Sequence, residues 1–153
     1  MPADPPAFQG GSSKLFRCRD PEVLLEGPAG TGKSFAVAWY IRWFINRYPG
    51  CRVLVCRKTR VSLSQSFLVT WEKVLGFNHQ ALTGVTRTNR QLYRFANGSE
   101  LVLGGMDNPT RLFSTEYDLI FVNEATELAE GEWESLHRAL RHYVAPYQQL
   151  LGD

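Results

Sequence analysis

Lys33 and Ser34 offer the most chemistry in this chain, because of what precedes them. They close the octet Gly27-Pro28-Ala29-Gly30-Thr31-Gly32-Lys33-Ser34, which has the spacing G-x-x-x-x-G-K-[ST] of a phosphate-cradling loop. Glycines at 27, 30 and 32 open dihedrals closed to other residues and let the main chain approach a ligand. Successive backbone N–H groups then form a nest for phosphate oxygens, reinforced by the positive end of the helix that starts there. Lys33 is placed to reach β- and γ-phosphates and the Ser34 hydroxyl to bind Mg²⁺, so the cofactors expected are ATP and magnesium. A second pair, Asn123-Glu124, ends the apolar run Leu119-Ile120-Phe121-Val122, about 90 residues further on. This is the shape of a Walker B strand, with Glu124 to polarise the attacking water. Asn123 stands where the metal-side Asp is usual, and its amide oxygen can still accept from a Mg²⁺-bound water.

Both pairs need strand ends to position them. Glu22 to Glu26 reads as a short strand running into the octet, and Ser34 to about Arg47 as a helix leaving it. That helix is apolar almost all round, which predicts packing on two sides, and Pro49-Gly50 stops it. Cys51 to Cys56 is a continuous apolar run, the signature of a parallel strand covered on both faces. It leads into Arg57-Lys58-Thr59-Arg60, at the edge where open α/β sheets bind ligands; phosphate contact and plain solvation of a helix entry both fit these residues. Ser62 to about Leu75 reads as one helix, and residues 76–90 as a loop. Asn97-Gly98, between Leu92–Ala96 and Glu100–Leu103, predicts a hairpin inserted into the βαβ alternation. Gly104 to Thr115 reads as a loop carrying Arg111. An acidic stretch, Ala125 to Glu132, precedes a helix over Trp133 to Arg141, and Tyr147 to Leu151 begins a further strand.

The 153 residues suggest one domain. Residues 1–13, rich in Pro, Gly and Ser, read as a mobile leader ahead of an α/β domain over 14–153. Within that leader, Phe8-Gln9 is a candidate adenine contact. No run of about 18 apolar residues and no signal peptide is present, so nothing points to a membrane or to secretion. Cys18, Cys51 and Cys56 form no CxxC pair, and His79, His137 and His142 complete no zinc spacing with them; reduced structural thiols are expected. The net charge of +2 hides an asymmetry: residues 1–95 hold 14 Lys/Arg against 5 Asp/Glu, and residues 96–153 hold 3 against 10. A basic front half suits a polyanionic partner.

With both landmarks placed, the sequence resembles the ATPase domain of tailed-phage terminase large subunits. The residues that carry the resemblance are Asp20 to Ser34, Arg52 to Arg60, and Asp118-Leu119-Ile120-Phe121-Val122-Asn123-Glu124-Ala125-Thr126-Glu127-Leu128, with Trp133 to Arg141 as the helix that follows in this family. The resemblance implies a P-loop NTPase of the ASCE type, with a central, mostly parallel sheet flanked by helices. The implied reaction is ATP hydrolysis coupled to moving double-stranded DNA into a procapsid, in the host cytoplasm. Lys33 and Ser34 would handle phosphate and Mg²⁺, Asn123 the metal shell, and Glu124 the water. Portal protein and a small terminase subunit are the implied partners. The family forms rings in which a neighbour's arginine completes the site, and Arg111 is the candidate for it. The family often has Arg or Gln inside the loop where Ala29 stands, so no cis arginine acts from there. The coupling motif and the nuclease domain of the family have no counterpart, so the chain is read as cut short at its C-terminus, without DNA cleavage. Two alternatives stay open: another ASCE ATPase acting on nucleic acid, helicase-like, and a truncated nucleotide-binding module without turnover.

Overall fold

Apolar strands that alternate between two covered faces dominate the computed structural model, which describes residues 6–28, 32–75, 82–83 and 92–153. Four strands form the parallel centre: β2 (Arg52–Arg57), β5 (Glu100–Gly105), β6 (Leu119–Val122) and β7 (Gln149–Gly152). The short β1 (Glu22–Leu24) adds to β7, while β4 (Leu92–Phe95) and the two-residue β3 (Leu82–Thr83) continue antiparallel from β5. The seven-stranded order is β1-β7-β6-β2-β5-β4-β3. β7 therefore lies between the strand that enters the glycine-rich loop and the strand that ends in Asn123-Glu124. The predicted hairpin forms, but as part of this same sheet: β5 pairs along its length with β2, from Arg52 opposite Glu100 to Arg57 opposite Gly105.

Strand residues point alternately to opposite faces. On one face Val53, Val55, Leu119, Phe121 and Leu151 meet helices α1 (Gly10–Leu15), α2 (Lys33–Arg47), α3 (Arg60–Gln65) and α4 (Phe67–Leu75). On the other, Leu54, Cys56, Ile120, Val122 and Leu150 meet α5 (Pro109–Phe113) through Leu112, α6 (Glu130–Arg138) through Leu136, and the segment just after α6 through Ala139 and Leu140. Each such side chain, fully buried, contributes roughly 1.5–3 kcal/mol. α2 has protein on two sides, as its all-round apolarity predicts: it packs on the sheet and also against α1 and α4. Its remaining tryptophans are covered by cations, Arg42 over Trp39 and Arg19 over Trp43.

Three elements differ from the sequence reading, each for a local reason. The helix expected over 62–75 is two helices broken at Ser66 (φ −117°, ψ −89°), where Arg57 Nη1 donates to the Ser66 hydroxyl. The loop expected over 104–115 contains α5, with Pro109 in its first turn, where a missing N–H costs nothing, and Leu112 buried beneath it. A helical turn, α1, spans residues 10–13 of the expected leader and extends to Leu15; the following segment is tied down by Gln149, whose amide donates to the carbonyls of Cys18 and Asp20. The loop read at 76–90 lies, apart from β3, outside the described residues. None of the described helices is long and apolar enough to cross a membrane.

Candidate active site

β1 hands the chain to the glycine-rich loop, and Gly32, at φ +78°, turns it into α2. That left-handed backbone is one glycine reaches without a Cβ penalty. Lys33 and Ser34 thus open the helix. Lys33 Nζ donates to the Gly27 carbonyl at 2.8 Å, closing the loop on itself. Ala29, Gly30 and Thr31, the centre of the predicted nest, lie outside the described residues. A cavity of about 230 Å³ runs between Gly27, Pro28 and Lys33 on one side and Gln9, Gly11 and Ser12 on the other. Gln9 therefore borders the loop, while Phe8 stacks on Phe16 and meets the edge of Phe35.

β6 delivers Asn123 and Glu124 to the same edge of the sheet. Asn123 is buried and Glu124 exposed. Glu124 has left-handed backbone dihedrals (φ 54°, ψ 59°), which cost a non-glycine residue about 1–2 kcal/mol. The surroundings impose this conformation: Glu124 N–H donates to Asp153 Oδ1 at 2.8 Å, and Glu127 N–H donates to the Glu124 carbonyl. Strain held in this way ends the strand at Glu124 and turns the chain into the 3₁₀ turn that follows.

Asp153, directly after β7, joins the two halves. Val122 is registered opposite Gly152, so Asn123 lies beside Asp153. Ser34 Oγ donates to Asp153 Oδ2 at 3.3 Å, and Asn123 Nδ2 donates to Asp153 Oδ1 at 3.3 Å. The Asn123 amide oxygen faces away, 2.9 Å from the Ser66 hydroxyl. A carboxylate next door demands this orientation, since the amide's hydrogens, not its oxygen, must face a negative charge. Sequence reasoning placed Asn123 in the metal shell through its oxygen; here that oxygen meets Ser66. The signal for Asp153 was present: Leu150-Leu151-Gly152-Asp153 repeats the apolar-run-then-polar pattern of the strand beside it.

The donor set fits magnesium. The Ser34 hydroxyl and the Asp153 carboxylate are hard oxygen donors of the kind around which Mg²⁺ would keep its waters, and one or two carboxylates suffice when phosphates supply the rest. Among the described residues no group of three or more His, Cys, Asp or Glu forms a closed metal cage.

At the end of β2, Arg57 and Lys58 pair with acidic side chains of the protein itself. Arg57 makes two hydrogen bonds with Glu127, at 3.0 and 2.9 Å, and Lys58 Nζ lies 2.6 Å from Glu132 Oε1. The Arg57 guanidinium holds the Glu127 carboxyl below its ordinary value, and the hydrogen bond from Lys58, then that from the Ala129 N–H, does the same for Glu132. Arg57 is itself held more firmly protonated, first by Glu127 and then, more weakly, by the charges of Glu124 and Asp153. Arg111 sits elsewhere, on α5, donating to the Leu103 carbonyl at 3.1 Å.

Known proteins share this fold. A family model described as phage terminase large subunit matches residues 21–151. Among solved structures, the large terminase ATPase domain of Thermus phage P74-26, in a mutant form, superposes with a TM-score of 0.71 at 17% identity, covering 96% of this chain and 65% of that one. The large terminase of a thermophilic bacteriophage superposes at 0.69 and 14% identity, covering 86% of this chain and 33% of its own. In complex with ATP-gamma-S it superposes at 0.67 and 13% identity, covering 90% and 33%. No curated protein matches the sequence. At these identities the superpositions establish the fold, a mostly parallel sheet flanked by helices, and the chain spans from a third to just under two thirds of the length of these solved proteins.

Proposed function

The chain belongs to the phage terminase large subunit family, and from that premise we propose that it forms the ATP-hydrolysing unit of a motor that drives double-stranded DNA into a procapsid. One observation carries this reading: a single carboxylate, Asp153, receives hydrogen bonds from both Ser34 and the Glu124 backbone, so the phosphate-binding and water-activating residues share one locus. Lys33 exchanges its Gly27 carbonyl for the β- and γ-phosphates of ATP. Ser34, with Asn123 beside it, would hold magnesium, whose charge neutralises the phosphate oxygens as the terminal group leaves. Glu124, exposed just after β6, orients the attacking water and accepts its proton. Of the Phe8-Gln9 pair, Gln9 lines the cavity bordering the loop, which supports it as the adenine contact.

Portal protein, a small terminase subunit and a ring of like subunits complete the proposed machine. Arg111 lies on α5 and bonds to the Leu103 carbonyl, so its candidate role is to complete a neighbour's site. Such an arginine raises turnover by about 10³–10⁵ in related phosphoryl transfers.

Phosphate release and ATP binding, measured together, test the assignment. Glu124→Gln is expected to abolish release while ATP still binds, and Lys33→Ala to remove binding. Turnover by Glu124→Gln equal to that of the unmodified chain would overturn the catalytic role of Glu124. Binding without release in every form would leave a nucleotide-binding module.

A further inference from the structure

In a P-loop site the metal-ligating hydroxyl needs an anion to take its proton and to hold the metal's waters, and β6 ends in a neutral amide where that anion would stand. A carboxylate within hydrogen-bond reach, Asp153, stands one strand away. Neighbouring strands are separated by about 4.8 Å, a distance that one side chain bridges. Asp153 sits beside Asn123 in the parallel register, accepts from Ser34 Oγ through Oδ2, and accepts the Asn123 amide and the Glu124 N–H through Oδ1. Its own backbone is pinned, with N–H to the Val122 carbonyl and carbonyl to the Ala125 N–H. The carboxylate is therefore preorganised against the hydroxyl that opens α2.

We propose that Asp153 supplies the negative charge of the magnesium shell, moved from β6 to the adjacent β7, and that Asn123 is a positioning residue that orients this carboxylate. The inference rests on the ATPase reading above. It makes the Ser34–Asp153–Asn123 trio a unit: Ser34 donates its hydroxyl hydrogen to Asp153 and so turns its oxygen lone pairs toward the metal. Asn123, anchored at its other end by Ser66, keeps Asp153 from rotating. The same Asp153 receives the Glu124 N–H, so loading of the metal and the attitude of Glu124 are linked through one side chain.

Binding of a fluorescent ADP analogue, titrated with Mg²⁺ and repeated in EDTA, tests this. Asp153→Asn keeps an acceptor for the Glu124 N–H, removes the charge, and turns the atom facing Ser34 Oγ from an acceptor into a donor. It is expected to keep or raise affinity in EDTA, where a negative charge beside the phosphates has been removed, and to raise the Mg²⁺ concentration for half-saturation about 10–100-fold. The exchange Asn123→Asp with Asp153→Asn returns a carboxylate to the site and is expected to recover most of that loss. Identical Mg²⁺ titrations for Asp153→Asn and the unmodified chain would overturn the inference alone; failure of the unmodified chain to bind the analogue at all would overturn the ATPase reading and this inference with it. Should the variants not fold, Mn²⁺ added to the unmodified chain with ADP decides: paramagnetic broadening of the Asp153 carboxyl resonance supports the assignment, and its absence refutes it.

Discussion

Among single residues, burial decides which reactive groups are available. Cys51 and Cys56 are fully buried, and loss of hydration pushes both thiols up to about 12. Such thiols stay protonated at neutral pH and are inert. Cys18 is partly exposed. Native protein treated with Ellman's reagent is accordingly expected to label Cys18 alone, and all three cysteines after unfolding; rapid native labelling of Cys56 would mean that the β2 face opens. Asp118 shows the complementary case of a buried charge that is fully occupied. Its two oxygens accept from the Arg52, Val144 and Ala145 N–H groups and contact His142 Nδ1, so it pins the 142–145 segment that feeds β7. A carboxylate so satisfied has a structural role, one strand end away from the site.

Among elements, the contact between β7 and the segment after β6 is the one on which the site depends. Gly152 stands where any Cβ would lie 2.9 Å from Ala125 Cβ and 3.2 Å from the Trp133 ring. Gly152→Ala must therefore push the 3₁₀ turn at Ala125–Glu127 outward, costing about 1–3 kcal/mol as overpacking does. A thermal melt should show that loss, and the Mg²⁺ dependence of nucleotide binding should weaken with it, because Asn123 and Asp153 are separated by the same movement. A melt unchanged from the parent would show that the turn yields freely. The helix broken at Ser66 belongs to the same region. By breaking there, α3 and α4 place a hydroxyl against both Arg57 and Asn123, which a continuous helix would not do.

Across the whole molecule, the charge asymmetry of the two halves is partly resolved inside the fold. The basic residues after β2 meet the acidic stretch after β6, where Arg57 pairs with Glu127 and Lys58 with Glu132. Both glutamates have carboxyl values depressed below the ordinary 4.5 in the folded state, so the stability they contribute is present above that value and is lost as pH falls through the lowered ones. The pairs are partly solvated, so the effect is modest and salt-sensitive. The melting temperature is expected to fall as pH drops below 4.5, and Glu127→Gln with Glu132→Gln to flatten that acid limb. An unaltered limb would locate the acid-sensitive groups elsewhere.

Local chemistry was legible in the chain by itself. The octet ending in Lys33-Ser34, the apolar runs at β2 and β6, the Asn97-Gly98 turn and the all-round apolarity of α2 each depend on neighbours in sequence, so the strands and helices around the site could be read directly. Residue type also singled out Glu124 as the candidate for polarising water. What the chain could not reveal was which side chains meet across the sheet. The pairing of β7 between β1 and β6, the contact of Asp153 with Ser34, 119 positions earlier, and the pairing of Arg57 and Lys58 with Glu127 and Glu132 exist only once the strands are ordered. Spacing along a chain encodes local conformation, whereas the meeting of a carboxylate with a distant hydroxyl is set by strand order and register, which the packing of both sheet faces decides together.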